Sequence, residues 1–265
     1  MPLCRLIAAT AGGAMLVASG AASAAAPDLA AHRALYQLTL GNARSADVEA
    51  ATGKMAYEVT DTCDAWAVRQ RLEMTITNRD GQDIQMISDY TTWESKDGLK
   101  LNFRMRETTD TAVTSEVQGD ARLTATGGPG EVHYTLPKQQ TVDLPAGTLF
   151  PTAHTAAILE AAQEGKKVVA LPLFDGTSPD GAQNSSIVIT SWGAPRPNQW
   201  SALAALPSGK FHIAFFDRTA EAQTPDYEVS MRYWLNGVAD DLAMDFGEFV
   251  MNGKMVEFTP QKPHC

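Results

Sequence analysis

The chain lacks most of what would name a chemistry. Its 265 residues contain no G-x-S-x-G, no H-E-x-x-H, no G-x-x-x-x-G-K-[ST] and no G-x-G-x-x-G, so no nucleophile elbow, zincin helix or phosphate-cradling loop is written in it. Bases are scarce, with 21 Lys and Arg against 31 Asp and Glu and a net charge of -10. Such a chain repels phosphate backbones, which disfavours nucleic acid as a partner. The histidines, His32, His133, His154, His212 and His264, lie far apart, and none shares the spacing of a metal site. Beyond the first residues no apolar run approaches the ~20 residues of a spanning helix, so no transmembrane segment is expected in the mature chain.

What is present begins with a leader. Arg5 supplies positive charge, Leu6 to Ala18 form a short apolar run, and small residues follow at Ala22-Ser23-Ala24 and Ala24-Ala25-Ala26. That order reads as a secretory signal over residues 1–24, cleaved near 24 or 26, leaving residues 25–265 as one exported, soluble domain. Export changes the meaning of the cysteines. Cys4 leaves with the signal, and Cys63 and Cys265 remain in an oxidising compartment where two thiols are expected to pair. No C-x-x-C accompanies them, so the pair reads as structural rather than redox-active.

Most of the mature chain alternates with period two. Leu99, Leu101, Phe103 and Met105 are interleaved with Lys100, Asn102, Arg104 and Arg106, the pattern of a half-buried strand. Similar runs predict strands at 33–40, 54–59, 66–76, 82–94, 99–107, 111–117, 119–126 and 130–136. Asp80-Gly81, Asp97-Gly98, Gly119-Asp120 and Gly127-Gly128-Pro129 read as the turns between them. One segment breaks the period: Pro151 to Glu164 is Ala-rich, opens on Pro and is followed by Gly165, which predicts one helix. Strands resume at 167–173, 184–193, 211–217, 226–235, 238–246 and 248–258, with one helical turn near 201–205. Consecutive hairpins without a long linker predict a mainly β single domain.

Three places could carry chemistry. Phe174 to Gly181 offers turn oxygens, but Ser186 stands where an EF-hand needs a chelating Glu, so its aspartates read as turn formers and no metal or cofactor is expected. His154, between Thr152 and Thr155 at the helix start, is assigned to packing rather than to catalysis. Asp240, Asp241, Asp245 and Glu248 cluster on adjoining strands and read as a solvated face rather than a glycosidase pair.

Five segments, taken in order, resemble one family. HRALYQLTL, GKMAYEVTDTC, LPAGTLFPTAHT, LFDG and YWLNGVADDLAMDFGEFVMNGKMVEFTP are similar to the cell-envelope integrity protein B (EipB-like) proteins of alphaproteobacteria, across essentially the whole mature chain. The resemblance implies a periplasmic, Gram-negative protein whose antiparallel strands wind into a barrel-like β-spiral, with a disulfide between an early strand and the C-terminus, here Cys63–Cys265. It implies maintenance of the envelope without enzymatic activity, by binding an unknown periplasmic or envelope protein. A carrier of a lipid or acyl chain, holding a hydrophobic ligand in the curl of the sheet, is the first alternative. An envelope-polymer hydrolase is the second.

Intact-mass analysis of the exported protein is expected to show a start within a few residues of Ala24 or Ala26 and a chain two hydrogens lighter than its reduced form. Retained Arg5 or free thiols would contradict this. Cys63→Ser and Cys265→Ser should each cost ~2–4 kcal/mol of stability, and the double variant no more than either.

Overall fold

The computed structural model of the chain describes residues 27–218 and 224–263; the leader with its cleavage positions and Cys265 lie outside the described residues. The alternating segments form a long meander. Strands β1 (His32–Ala43), β2 (Val48–Asp61), β3 (Ala65–Asn78) and β4 (Asp83–Ser95) lead to β5 (Lys100–Thr109), β6 (Ala112–Leu123), β7 (Gly130–Leu136) and β8 (Gln140–Leu144). Helix α1 (Pro151–Gln163) interrupts them. After it come β9 (Val168–Leu173), β10 (Gln183–Gly193), a single turn α2 (Ser201–Ala204), β11 (Ser208–Phe216), β12 (Tyr227–Trp234), β13 (Ala239–Asp245) and β14 (Phe249–Pro260).

Each strand pairs antiparallel with its sequence neighbour, and β14 returns to pair with β1. This makes one 14-stranded sheet with β8 and β9 at its edges. The sheet curls without closing. Its edges are drawn together by the chain leaving β8: Leu149 N–H donates to Pro172 O (2.9 Å), and Phe174 N–H donates to Leu149 O (3.0 Å).

The inner face carries two apolar clusters. One gathers Tyr36, Leu38, Met251 and Met255 from the β1–β14 seam, Ile187, Ile189, Phe211 and Ile213 from β10–β11, and Ile158 and Leu159 from α1. Each large side chain so buried contributes ~1.5–3 kcal/mol. The other lies against β5–β8, where Phe174, just after β9, makes T-shaped contacts with Phe103, Tyr134 and Phe150. The outer face is charged, and cross-strand partners neutralise one another, as in Arg33–Glu58, Lys54–Glu73 and Arg71–Asp89. The helix begins at Pro151 as its sequence predicts, and Gly165 takes φ 78° just beyond its end.

Two strand expectations need correction. The strands expected at 111–117 and 119–126 are one, β6, and Gly119-Asp120 is not a turn. Gly119 is there because β7 passes too close for a side chain. A Cβ would lie 2.3 Å from the His133 carbonyl oxygen and 2.8 Å from the Phe103 ring, and the β6–β7 register shifts at this point. Strand β8 was not foreseen, since Gln140–Leu144 is only 5 residues long and polar at alternate positions.

Gly119→Val should therefore destabilise the fold by about 1–3 kcal/mol, read as a lower urea midpoint with an unchanged slope. Gly193→Ala, where a Cβ meets nothing within 4 Å, should stay within about 0.5 kcal/mol.

Candidate functional site

A cleft opens on the inner face where β1 to β4 begin or end. Its floor is two rows of side chains set by strand register. His32, Val59, Val68 and Thr92 face one another across β1–β4, and Tyr57, Gln70 and Tyr90 form the next row across β2–β4. The opposite walls come from far along the chain: Pro151, Thr152 and Thr155 of α1, and Tyr233, Gly237 and Ala239 around the β12–β13 turn. Leu29 and Ala30 form the lip, held by the Ala30 N–H donating to Asn236 O (3.0 Å). The cleft encloses about 250 Å³, and its lining includes no Asp, Glu, Lys or Arg. The neighbouring cation, Lys96, is committed to Asp61 (2.7 Å) and sits over the Trp66 ring.

The polar groups in the cleft are neutral. Burial raises Tyr36, Tyr57, Tyr90 and Tyr233 above the usual phenol range, so all four keep their protons. Tyr36 donates to Ala239 O (2.7 Å) and Tyr90 to Asp175 O (2.6 Å). The Tyr57 hydroxyl and the Gln70 amide make no hydrogen bond among the described residues, yet neither is a sealed, orphaned atom. They come from paired positions of β2 and β3, and both residues line the cleft. His32 donates its Nδ1–H to Ala30 O (2.8 Å), while Nε2 is sealed without a partner among the described residues and burial lowers the imidazole pKa.

One wall is fixed by a residue that the sequence did not single out. The cap position of α1 is Phe150, which offers no side-chain acceptor, and the first turn has no acid. Glu94, at the end of β4 and 1% exposed, supplies the missing acceptors. Its Oε2 accepts the Thr152 N–H (2.7 Å) and its Oε1 the Ala153 N–H (2.9 Å). A carboxylate at a helix N-terminus meets both the unpaired N–H groups and the positive end of the helix dipole. Burial nevertheless pushes its pKa up to about 7, against the lowering effect of the two backbone donors.

The other candidates resolve into structural roles. His154 is buried on α1, with Nε2 2.7 Å from Ser185 Oγ, and the Ser185 hydroxyl donates to Leu171 O (2.7 Å). Because that hydroxyl proton is already given away, His154 must donate to Ser185; it is not poised to take a proton from it. Burial lowers its pKa to about 4. In the Phe174–Gly181 loop, Asp175 accepts from Thr177 and Gln183, and Asp180 from Ser178. Phe174 itself belongs to the second core.

One of the four acids expected on a solvated face, Asp240, corrects that expectation, while Asp241 and Glu248 are exposed. Asp240 is 3% exposed, and its Oδ1 accepts the Met255 N–H (2.7 Å) beside the irregularity where β14 slips against β1. Asp241 faces out to Lys254 and Arg232, and Asp245 to Arg44. Among the described residues no helix is long and apolar enough to cross a membrane.

Comparison with known proteins gives a consistent picture. Residues 23–262 match the EipB-like family. The chain is 32% identical over 249 residues to the cell envelope integrity protein EipB of Brucella abortus (strain 2308), covering 90% of this chain and 87% of that protein. It is also similar to a crystal structure of a β-barrel-like protein of a domain of unknown function from Brucella abortus. There the TM-score is 0.81 at 28% identity, over 89% of this chain and all of that one.

Glu94 makes a pH prediction. Its folded pKa of about 7 lies above the ordinary 4.5. Between those values the folded state holds a proton that the unfolded state releases, so this group's contribution falls as pH rises through the window, by ~3 kcal/mol at most. His154 works in the opposite sense between about 4 and 6.5. The informative quantity is therefore the difference between wild type and Glu94→Gln. The unfolding free energy of wild type minus that of the variant should fall from pH 4.5 to 7.5, by ~3 kcal/mol at most, and a pH-independent difference would refute the assignment.

Proposed function

The chain belongs to the EipB-like family, and from that premise we propose that it is a periplasmic protein that maintains the cell envelope by binding, not by catalysis. The binding surface is the cleft between β1–β4, α1 and the β12–β13 turn, and the component it takes enters by an apolar portion. The observation that carries this reading is the cleft itself: an apolar space of about 250 Å³ whose only polar groups are uncharged or histidine. Walls of that kind gain from excluding water and offer little to stabilise charge developing in a reaction. The relative named for envelope integrity supplies the setting, and the N-terminal leader supplies the route to it.

The Cys63–Cys265 disulfide belongs to the same reading. Val59 of β2 and Pro260 of β14 both stand opposite His32, one on each side of β1. The chain therefore leaves β2 for Cys63 and leaves β14 for Cys265 at the same end of the sheet. The bond would fasten the last strand beside the cleft and hold an end that otherwise frays.

Deletion of the gene is expected to sensitise cells to detergent and to cell-wall antibiotics. Wild type should restore resistance, and so should His154→Gln, which keeps an N–H donor for Ser185. Ala239→Phe, which projects a ring into a half-exposed wall of the cleft, should fail to complement while remaining exported and folded by thermal melt. Complementation by Ala239→Phe would remove the cleft from the function. A folded His154→Gln protein that fails to complement would point to proton chemistry instead.

A further inference from the structure

We propose that the cleft binds one alkyl chain of roughly ten carbons ending in a neutral amide, the amide-linked acyl chain of an envelope amphiphile, with Tyr57 and Gln70 as the residues that recognise the amide. The inference rests on the binding reading above and names its ligand class. Size comes first. An apolar cavity of ~150 Å³ takes benzene, so about 250 Å³ has room for roughly ten carbon atoms.

Charge comes second. No Lys or Arg lines the cleft, Lys96 is already paired with Asp61, and the buried carboxyl of Glu94 lies close enough to act on Tyr57 and Tyr90. An anionic head would enter without a counter-ion, at the cost of its hydration. A cationic head would find no carboxylate in the lining to contact, since Glu94 faces the first turn of α1.

Hydrogen bonding comes third. Gln70 carries both donors and an acceptor, and the hydroxyl of Tyr57, its cross-strand partner in the cleft lining, can do either. An amide, with one N–H and one C=O, matches that pair. The floor's backbone adds no such capacity, because β2, β3 and β4 are paired on both sides. An extended peptide laid in the cleft would bring several amides and find no strand edge to satisfy them, each costing ~1–3 kcal/mol. A chain with one amide brings only the one that can be met.

Isothermal titration of the exported protein with N-methyldecanamide, decanoate and decyltrimethylammonium below their micellar concentrations tests this. The amide should bind at least ten-fold tighter than either ion, and an apolar decapeptide should not compete with it. The Tyr57→Phe/Gln70→Leu double variant, nearly isosteric and checked by thermal melt, should lose about ten-fold for the amide and little for the ions. Gln70→Leu alone should show part of the loss should the double variant misfold. Equal binding of decanoate, competition by the peptide, or an unchanged amide affinity in a folded variant would overturn the ligand class. If Ala239→Phe fails to complement while the amide does not bind, only the ligand class falls. If Ala239→Phe complements, the binding reading beneath it falls as well.

Discussion

The carboxyl of Glu94 on the first turn of α1 is the contact on which the interior geometry depends. A curled sheet that does not close leaves one side to be filled, and α1 fills it with Ile158 and Leu159. Yet the helix begins on Phe150-Pro151 without a cap of its own. Burying a carboxyl is expensive, and here the cost is offset in part by two N–H bonds and by the helix dipole. The arrangement fixes the entry point of α1 against β4. Since Pro151, Thr152 and Thr155 form a wall of the cleft, the width of the cleft follows from that anchoring.

The cleft shows a second consequence of a meander. Every floor strand is hydrogen-bonded on both sides, so recognition cannot come from backbone. It must come from side chains, and register decides which ones meet. Tyr57, Gln70 and Tyr90 come from three strands, and hairpin pairing brings them into a single row. Tyr90 spends its hydroxyl on Asp175 and so ties the row to the loop after β9. Tyr57 and Gln70 keep their capacity for hydrogen bonds.

Much of this architecture was legible in the residues, because period-two alternation and Asp-Gly turns act locally. The run of strands, the bounds of α1 and the turn at α2 follow from such signals. What was not legible depends on close approach between distant segments. Gly119 looked like a turn because glycine serves turns and tight packing alike, and only the passage of His133 and Phe103 separates the two uses. Asp240 looked like its exposed neighbour Asp241, and only the break in the β1–β14 ladder, with a freed Met255 N–H, explains its burial. Glu94 shares strand parity with Tyr90 and Thr92, which hinted at an inward position. Its partner lies 58 residues away at Thr152, and no local pattern announces that a helix will start there.

The seam between β1 and β14 ties these features together. It joins the first strand to the last, so the pairing that completes the sheet is also the pairing of greatest sequence separation, and its loop entropy must be met by strong local packing. Tyr36, Leu38, Met251 and Met255 are buried along it. The first and last described segments lie at the same place, with Gln261 N–H donating to Ala31 O (2.8 Å) and Leu29 lining the cleft. Ends are where fraying begins. A cleft placed there would lose its lip first as the fold loosens, unless the ends are fastened. The proposed Cys63–Cys265 bond would act on this spot, bracing the seam from the β2 side, so that the proposed covalent tie and the proposed binding surface answer to the same structural weakness.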